Sequence, residues 1–96
     1  MTSPAPARYE PAPTVLLTDL SETEACLLDT RTLYYYALNE TGRLIWNELA
    51  AQRTPQEATR TLLAHYDVDE ADALGHVQSL LQTFVEDGLV VAREAA

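Results

Sequence analysis

The side chains that most often carry out chemistry in proteins are scarce in this sequence. It contains two histidines, His65 and His76, and one cysteine, Cys26. A metal pair needs histidines at i and i+4 on one helix face, or histidine with converging carboxylates, and neither pattern is present. Cys26 stands between Ala25 and Leu27, without a neighbouring base or cation, so we expect an inert, packed thiol. The sequence therefore predicts no catalytic residue, no metal site and no cofactor, and the protein is expected not to be an enzyme.

A group of carboxylates in the second half of the chain resembles a calcium-binding loop only in part. Its members are Asp67, Asp69, Glu70 and Asp72. The group lacks the glycine at the sixth position and the later bidentate glutamate of such a loop. Capping and dipole compensation at a helix N-terminus explain it better. His76, farther along the same predicted helix, is interpreted as a solvent-facing or groove-edge residue.

Length and charge narrow the classes of protein further. The 96 residues suffice for one domain with a single modest core. The formal net charge of -9 would repel a phosphate backbone or an anionic membrane. The lone cysteine excludes an internal disulfide, and the first residues have no signal-peptide pattern. We therefore expect a cytoplasmic protein that binds neither nucleic acid nor membranes.

Three short segments rich in β-formers follow a proline-rich start. Residues 1–13 contain all but one of the 5 prolines and are predicted to be a flexible arm. The segments that follow are Val15–Thr18, Ala25–Leu28 and Leu33–Leu38. The links between them are too short for parallel crossovers, so the sequence predicts an antiparallel three-stranded sheet.

The remainder of the chain has a helical period. Asn39 is predicted to cap a first helix, and Thr54–Glu57 forms a capping box for a second over Pro55–Tyr66. A third helix is expected to begin at Asp69, with a carboxylate cap, and to end at Gly88. The apolar stripes expected to face the core are Gly42, Ile45, Trp46 and Leu49 on the first helix, Ala58, Leu62, Leu63 and Tyr66 on the second, and Leu74, Val77, Leu81, Phe84 and Val85 on the third.

Together these elements predict an α+β domain, a winged helix-turn-helix-like arrangement of a three-stranded antiparallel sheet followed by three helices. The domain should cover residues 14–91, with Leu89, Val90 and Val91 folding back on the core and residues 92–96 forming a tail.

The third predicted strand has two apolar faces. Alternation places Tyr34, Tyr36 and Leu38 on one face and Leu33, Tyr35 and Ala37 on the other. One interpretation is structural, with one face in the core and the other a tyrosine-covered surface. The other is functional, since the last strand of a meander has an open edge that can accept a peptide as an added strand. The residues alone leave both interpretations open.

Several blocks of the sequence are similar to the PqqD-like family, whose members recognise the leaders of ribosomally made, post-translationally modified peptides. The similarity covers roughly residues 14–91, and the blocks that carry it are Tyr35 to Gly42, Ile45-Trp46, Val77 to Leu81 and Gly88-Leu89-Val90. The resemblance implies a winged helix-turn-helix variant in which the leader adds as an antiparallel strand to the third strand. It also implies a groove between that strand and the third helix.

Carried over by position, the resemblance implies a set of peptide-binding residues on two elements. On the strand they are Leu33, Tyr34, Tyr35, Tyr36, Ala37 and Leu38, and on the helix they are Leu74, Val77, Gln78 and Leu81. Asn39 is interpreted as a helix cap and Trp46 as a core residue. His76 departs from the acidic residue that many relatives have before the helix valine. The implied partners are a precursor leader peptide and a separate modifying enzyme or leader peptidase, in pyrroloquinoline quinone assembly or, more in keeping with the residue blocks, in a lasso peptide cluster.

Two alternatives come from other classes of protein. A winged-helix transcription regulator should present arginine or lysine on its recognition helix, whereas Asp69 to Asp87 contains neither. A small scaffold could instead form a homodimer by pairing its open strand with that of a second copy.

Overall fold

The computed structural model describes residues 8–93 as five strands and three helices. In chain order they are β1 (Arg8–Pro11), β2 (Val15–Asp19), β3 (Ala25–Asp29), β4 (Tyr34–Leu38), α1 (Glu40–Ala50), α2 (Pro55–His65), α3 (Glu70–Glu86) and β5 (Val90–Arg93). The predicted α+β class, with an antiparallel three-stranded sheet followed by three helices, is confirmed. Within the described range, no helix is both long enough and apolar enough to cross a membrane.

The main sheet has the strand order β2-β3-β4, with both pairs antiparallel. In the register, Leu27 of β3 lies between Leu17 of β2 and Tyr36 of β4. Short links form these hairpins, as the spacing predicts, and they leave β2 and β4 as the outer strands. The link between β4 and α1 is a single residue, Asn39, so the end of β4 is fixed directly to the helical layer.

The helix boundaries follow from local capping. The Asn39 side chain accepts a hydrogen bond from the Gly42 N–H at 2.8 Å, and the predicted capping box of Thr54 and Glu57 is present at α2. Asp69 occupies the N-cap position of α3, but its side chain makes no capping hydrogen bond, which corrects the expected carboxylate cap. Gly88 has a φ of 71°, the left-handed conformation expected after a helix.

The core lies between the inner face of the sheet and the helices. All four residues predicted on the inward face of α1 are buried, and Trp46 packs edge-to-face on Phe84 with ring centroids 5.2 Å apart. On α3, Val77, Leu81 and Phe84 are buried as predicted. Val85 was also predicted to face the core, but it is 45% exposed. Leu89 and Val90 complete the core after Gly88, whereas Val91 is 42% exposed and does not fold onto the core as predicted.

The N-terminal segment differs from the expected flexible arm. Its part from Arg8 to Pro11 is strand β1, paired antiparallel with β5. The Ala12 N–H donates to the Leu89 carbonyl at 2.9 Å, and Arg8 Nη1 donates to the Gln52 carbonyl at 2.7 Å. The prolines do not prevent this pairing, because Pro11 stands at the end of the strand and Pro13 follows it. The predicted tail is also wrong at its start, because Ala92 and Arg93 belong to β5. Residues 1–7 of the predicted arm and 94–96 of the predicted tail lie outside the described residues.

Candidate functional site

The turn that leads into β4 is organised by a buried carboxylate. Asp29 is 1% exposed, and its Oδ1 accepts hydrogen bonds from the Thr14 hydroxyl at 2.8 Å and the Arg31 N–H at 3.0 Å. The Thr14 hydrogen bond, followed by the Arg31 interactions, holds the pKa of Asp29 below its usual value, although burial opposes this effect. Leu33 has a φ of 61° and belongs to the turn, so the strand begins at Tyr34, one residue later than predicted.

The hydrogen bonds at the ends of β3 show which way its backbone groups point. The Thr30 N–H donates to the Thr14 carbonyl at 2.8 Å, next to β2, and the Leu33 N–H donates to the Asp29 carbonyl at 2.7 Å, next to β4. Hydrogen-bonded pairs alternate along an antiparallel ladder. The even-numbered residues of β3 therefore bond to β2, and its odd-numbered residues bond to β4.

This alternation defines the open edge of β4. The partners of the odd-numbered β3 residues are Tyr34, Tyr36 and Leu38, so these residues form the ladder with β3. The N–H and C=O groups of Tyr35 and Ala37 then point away from the sheet. Among residues 8–93, no strand pairs with this edge. It is a row of exposed donors and acceptors at the spacing of a β ladder.

The two faces of β4 have different surroundings, as the alternation predicts. On the inner face, Tyr36 packs edge-to-face on Phe84 of α3, with ring centroids 5.7 Å apart, and Leu38 is buried. The Tyr34 hydroxyl lies 3.4 Å from Asp87 Oδ2. Partial burial, followed by the Asp87 charge, raises the pKa of the Tyr34 phenol above its usual value. On the outer face Tyr35 is 67% exposed.

A groove runs along β4 on the side of the helices. Its volume is about 380 Å³, and it is lined by Glu24, Tyr36, Ala37, Leu38, Asn39, Gly42, His76 and Leu80. His76 also borders a cavity of about 240 Å³ whose other lining residues are Thr41, Leu62, Tyr66, Val68, Asp72 and Ala73. The position of His76 agrees with its interpretation as a groove-edge residue.

The structure places the predicted site residues of α3 in different surroundings from those of β4. Val77 is fully buried and Leu74 half-buried, while Gln78 and Leu81 line a separate depression near Tyr9 of β1. The groove is lined instead by His76 and Leu80. The predicted stripe followed the apolar period of the helix, and that period marks the face packed on the core. A helical wheel, at about 100° per residue, would have placed His76 and Leu80 beside each other and roughly opposite Leu74 and Gln78.

The remaining chemical groups fit packing and capping roles. Cys26 is half-buried, and its thiol lies 3.6 Å from the Leu27 carbonyl. Within the described part of the chain, no three residues of the types His, Cys, Asp and Glu are arranged to hold a metal ion. The Tyr66 hydroxyl donates to Glu40 Oε1 at 2.6 Å, and this hydrogen bond raises the pKa of Tyr66. What the site offers is a hydrogen-bonding edge beside a groove lined by both apolar and polar side chains.

The fold and the site together define a class of protein. It is a small α+β domain with an open strand edge next to a groove lined by a helix. The family model described as coenzyme PQQ synthesis protein D (PqqD) matches residues 24–90. The chain belongs to this family, which confirms the resemblance seen in the sequence.

Two solved structures have a similar fold. One is TbiB1 in complex with the TbiA(beta) leader peptide, with a TM-score of 0.78 and 23% identity over 84% of this chain and 93% of that one. The other is a lasso peptide synthetase B1 complexed with the leader peptide, with a TM-score of 0.78 and 25% identity over 88% of this chain and 98% of that one. No curated protein sequence matches the chain significantly.

Proposed function

We propose that this protein binds the leader of a ribosomally synthesised precursor peptide as an added strand on β4 and presents it to a separate modifying enzyme or leader peptidase. The observation that carries the proposal is the open edge of β4 beside the groove lined by His76 and Leu80. Family membership supports it, as do the two similar structures, both of which are complexes with leader peptides. The description of one of them, a lasso peptide synthetase B1, favours a lasso peptide precursor over other modified peptides.

The backbone of β4 supplies the register of the bound leader. Tyr35 and Ala37 each offer an outward N–H and C=O, so an antiparallel leader strand forms hydrogen bonds with both residues. Each of these bonds contributes only about 1 kcal/mol net, and every peptide can make them. The edge therefore provides alignment and a part of the affinity, without selecting a particular sequence.

Selection is assigned to the groove. Alternate side chains of an added strand point to the same face as Tyr34 and Tyr36, so they enter the space between β4 and α3. Apolar leader side chains placed there contact Tyr36, Leu38 and Leu80. Ordering a flexible leader costs several kcal/mol, which favours a dissociation constant in the nanomolar-to-micromolar range and exchange fast enough for handover. The chemical modification is then left to a separate enzyme.

The proposed site thus keeps the strand residues of the sequence prediction, Leu33 at its turn end and Tyr34–Leu38 along the edge. On α3 it uses His76 and Leu80 as the groove wall, in place of Gln78 and Leu81. Val77, buried beneath, supports the helix face without contacting the peptide.

A fluorescence polarisation titration tests the proposal. The probes are labelled leader peptides encoded beside the gene, and the matched control for each is a scrambled peptide of identical composition. We expect saturable binding of a leader at micromolar or lower concentration and at least about tenfold weaker binding of its scrambled control. Equal affinity for both peptides, or no saturation with any neighbouring leader, would refute the function.

A further inference from the structure

The edge strand β4 lacks the features by which proteins usually protect an open edge. Natural edge strands carry charged side chains, proline or a bulge that prevents pairing with another chain. The sequence of β4, Tyr-Tyr-Tyr-Ala-Leu, contains no charge and no proline, and it pairs with β3 residue for residue. Leu33 and Tyr35 beside the edge are 71% and 67% exposed. Such an edge is suited to pairing whenever no leader covers it.

The strand is also complementary to itself. In an antiparallel pair of two β4 strands with Tyr36 opposite Tyr36, Tyr35 of each copy lies opposite Ala37 of the other. These are the two residues whose N–H and C=O groups point outward, so the register satisfies both residues in both copies. A two-fold axis through Tyr36 relates the copies, as in a closed symmetric dimer.

The outer face of the sheet continues across this pairing. In each copy Leu16, Leu28 and Tyr35 form one cross-strand row, which would meet the row of Ala37, Cys26 and Thr18 of the other copy. Leu16 is 54% exposed in the single chain. Pairing therefore joins two small apolar surfaces and places no charged side chains opposite each other along the strand.

The geometry points to a second copy of this chain as the occupant of the β4 edge when the leader is absent. This inference rests on the proposed function, because the two occupants would use the same backbone groups of Tyr35 and Ala37. Leader binding and self-pairing are therefore mutually exclusive. Self-pairing protects the edge and reduces the apparent affinity for the leader as protein concentration rises.

We expect the dimer to be weak, because its interface is small and both copies carry a negative net charge. A stable interface buries about 800 Å² on each partner, more than an edge of 5 residues supplies. The net charge of -9 on each copy adds long-range repulsion, which salt screens. Self-pairing is thus a reversible equilibrium that a leader of micromolar affinity can displace.

Sedimentation velocity of the full native chain over a concentration series tests the inference. We expect a monomer at low micromolar concentration and a growing dimer fraction toward about 1 mM, increased by salt and abolished by a saturating leader peptide. A chain that binds the leader but stays monomeric throughout would overturn self-pairing and leave the proposed function intact. A dimer that persists with leader bound would overturn it too, since it would use another surface. If no leader binds, the proposed function fails, whatever the state of association.

A cross-link tests the register. Tyr36→Cys in a Cys26→Ser background places a thiol opposite its symmetry mate, at a Cα separation of about 4.5 Å that a disulfide can span. Tyr34→Cys in the same background is the control, because Tyr34 would lie opposite Leu38. With oxidised glutathione as electron acceptor, we expect disulfide dimers from the variant at position 36 and few from the variant at position 34. Equal cross-linking of both folded variants would contradict the register. If either variant does not fold, the sedimentation result on the native chain decides whether self-pairing occurs.

Discussion

The two outer strands of the sheet, β2 and β4, both have an edge that no other described strand pairs with, and β4 also borders the groove lined by Tyr36 and Leu80. Alternation in the ladder directs the N–H of Leu17 toward the outer edge of β2, just as it directs those of Tyr35 and Ala37 toward the outer edge of β4. Leu17 is 40% exposed. Backbone groups available to a peptide are therefore present on both sides of the sheet.

An ion pair lies at one end of the β2 edge. At the end of β2, Arg43 Nη2 forms an ion pair with Asp19 at 2.8 Å, and its Nη1 donates to the Glu22 carbonyl at 3.0 Å. Such charges at a strand end discourage pairing with another chain. At β4, by contrast, Tyr36 and Leu80 line an open groove. Under the proposed function, β4 offers an added strand a place for its side chains as well as a ladder for its backbone.

Proline substitution at matched positions gives the largest expected effect. Tyr35→Pro removes an outward N–H of β4 and leaves a leader carbonyl without a partner, so we expect affinity to fall about 10- to 100-fold. Leu17→Pro removes the equivalent N–H of β2 and should leave affinity within about twofold, since proline is tolerated on the outer side of an edge strand. Fluorescence polarisation measures both, with circular dichroism as the check on folding. A loss from Leu17→Pro equal to that from Tyr35→Pro would remove the distinction between the edges.

A charge on α3 tests which helix face forms the groove wall. Leu80→Asp places a carboxylate where the leader's apolar side chains are proposed to pack, so leader affinity should decrease by about tenfold or more. Gln78→Asp is the matched control on the opposite face, beside the depression near Tyr9, and should change affinity by less than about twofold. If Gln78→Asp weakened binding and Leu80→Asp did not, the groove wall would be the α3 face with Gln78 that the sequence predicted.

An intermediate effect is expected from substitution of Asp29, with Asp19 near β2 as the matched control. Asp29, buried before β4, has a lowered pKa, so its stabilisation is fully present above its unfolded-state pKa and is lost as the pH falls through its folded-state pKa. Asp29→Asn should lower the melting temperature by several degrees at pH 7, with a smaller difference near pH 3, and weaken leader binding a few-fold by loosening the turn. Asp19→Asn, in an exposed ion pair near β2, should have little effect on either measurement. Thermal melts measure the difference in melting temperature between the native protein and Asp29→Asn at both pH values. A larger difference at pH 3 than at pH 7 would contradict the stabilising role of the Asp29 carboxylate.

The smallest effect is expected from the hydroxyl at the start of β4. Tyr34→Phe removes a hydrogen bond of 3.4 Å to Asp87 at an exposed position, and so long a contact contributes little. Affinity should change by less than about twofold. A loss of tenfold in the same titration would show that the hydroxyl contacts the leader directly.

The sequence predicts the local features of this molecule well. Segments rich in β-formers predict β2, β3 and β4, and the capping residues Asn39 and Thr54 predict the starts of α1 and α2, because these signals act within a few residues. The position of β4 at the edge of the sheet is also predicted, because short links between successive strands favour the order β2-β3-β4. Strand β1 was not predicted, because its partner β5 is at the other end of the chain and local proline content gives no information on that pairing.

For the proposed site, the sequence and the structure indicate the same strand residues but different helix residues. Tyr34 to Leu38 lie along the open edge as expected, since a strand has only two faces. On α3 the apolar stripe identified the buried face, and the groove wall of His76 and Leu80 lies on the mixed face beside it. Only the packing of α3 under the sheet shows which of its other residues border β4.

Amide hydrogen exchange of the free and leader-bound protein, resolved by residue with NMR, tests the central claim most directly. Strand addition at β4 predicts that the Tyr35 and Ala37 amides, exposed in the monomer at low concentration, become strongly protected on binding. The Leu17 amide at the β2 edge should exchange at an unchanged rate. Protection of Leu17, or binding without protection of Tyr35 and Ala37, would contradict leader recognition at the β4 edge.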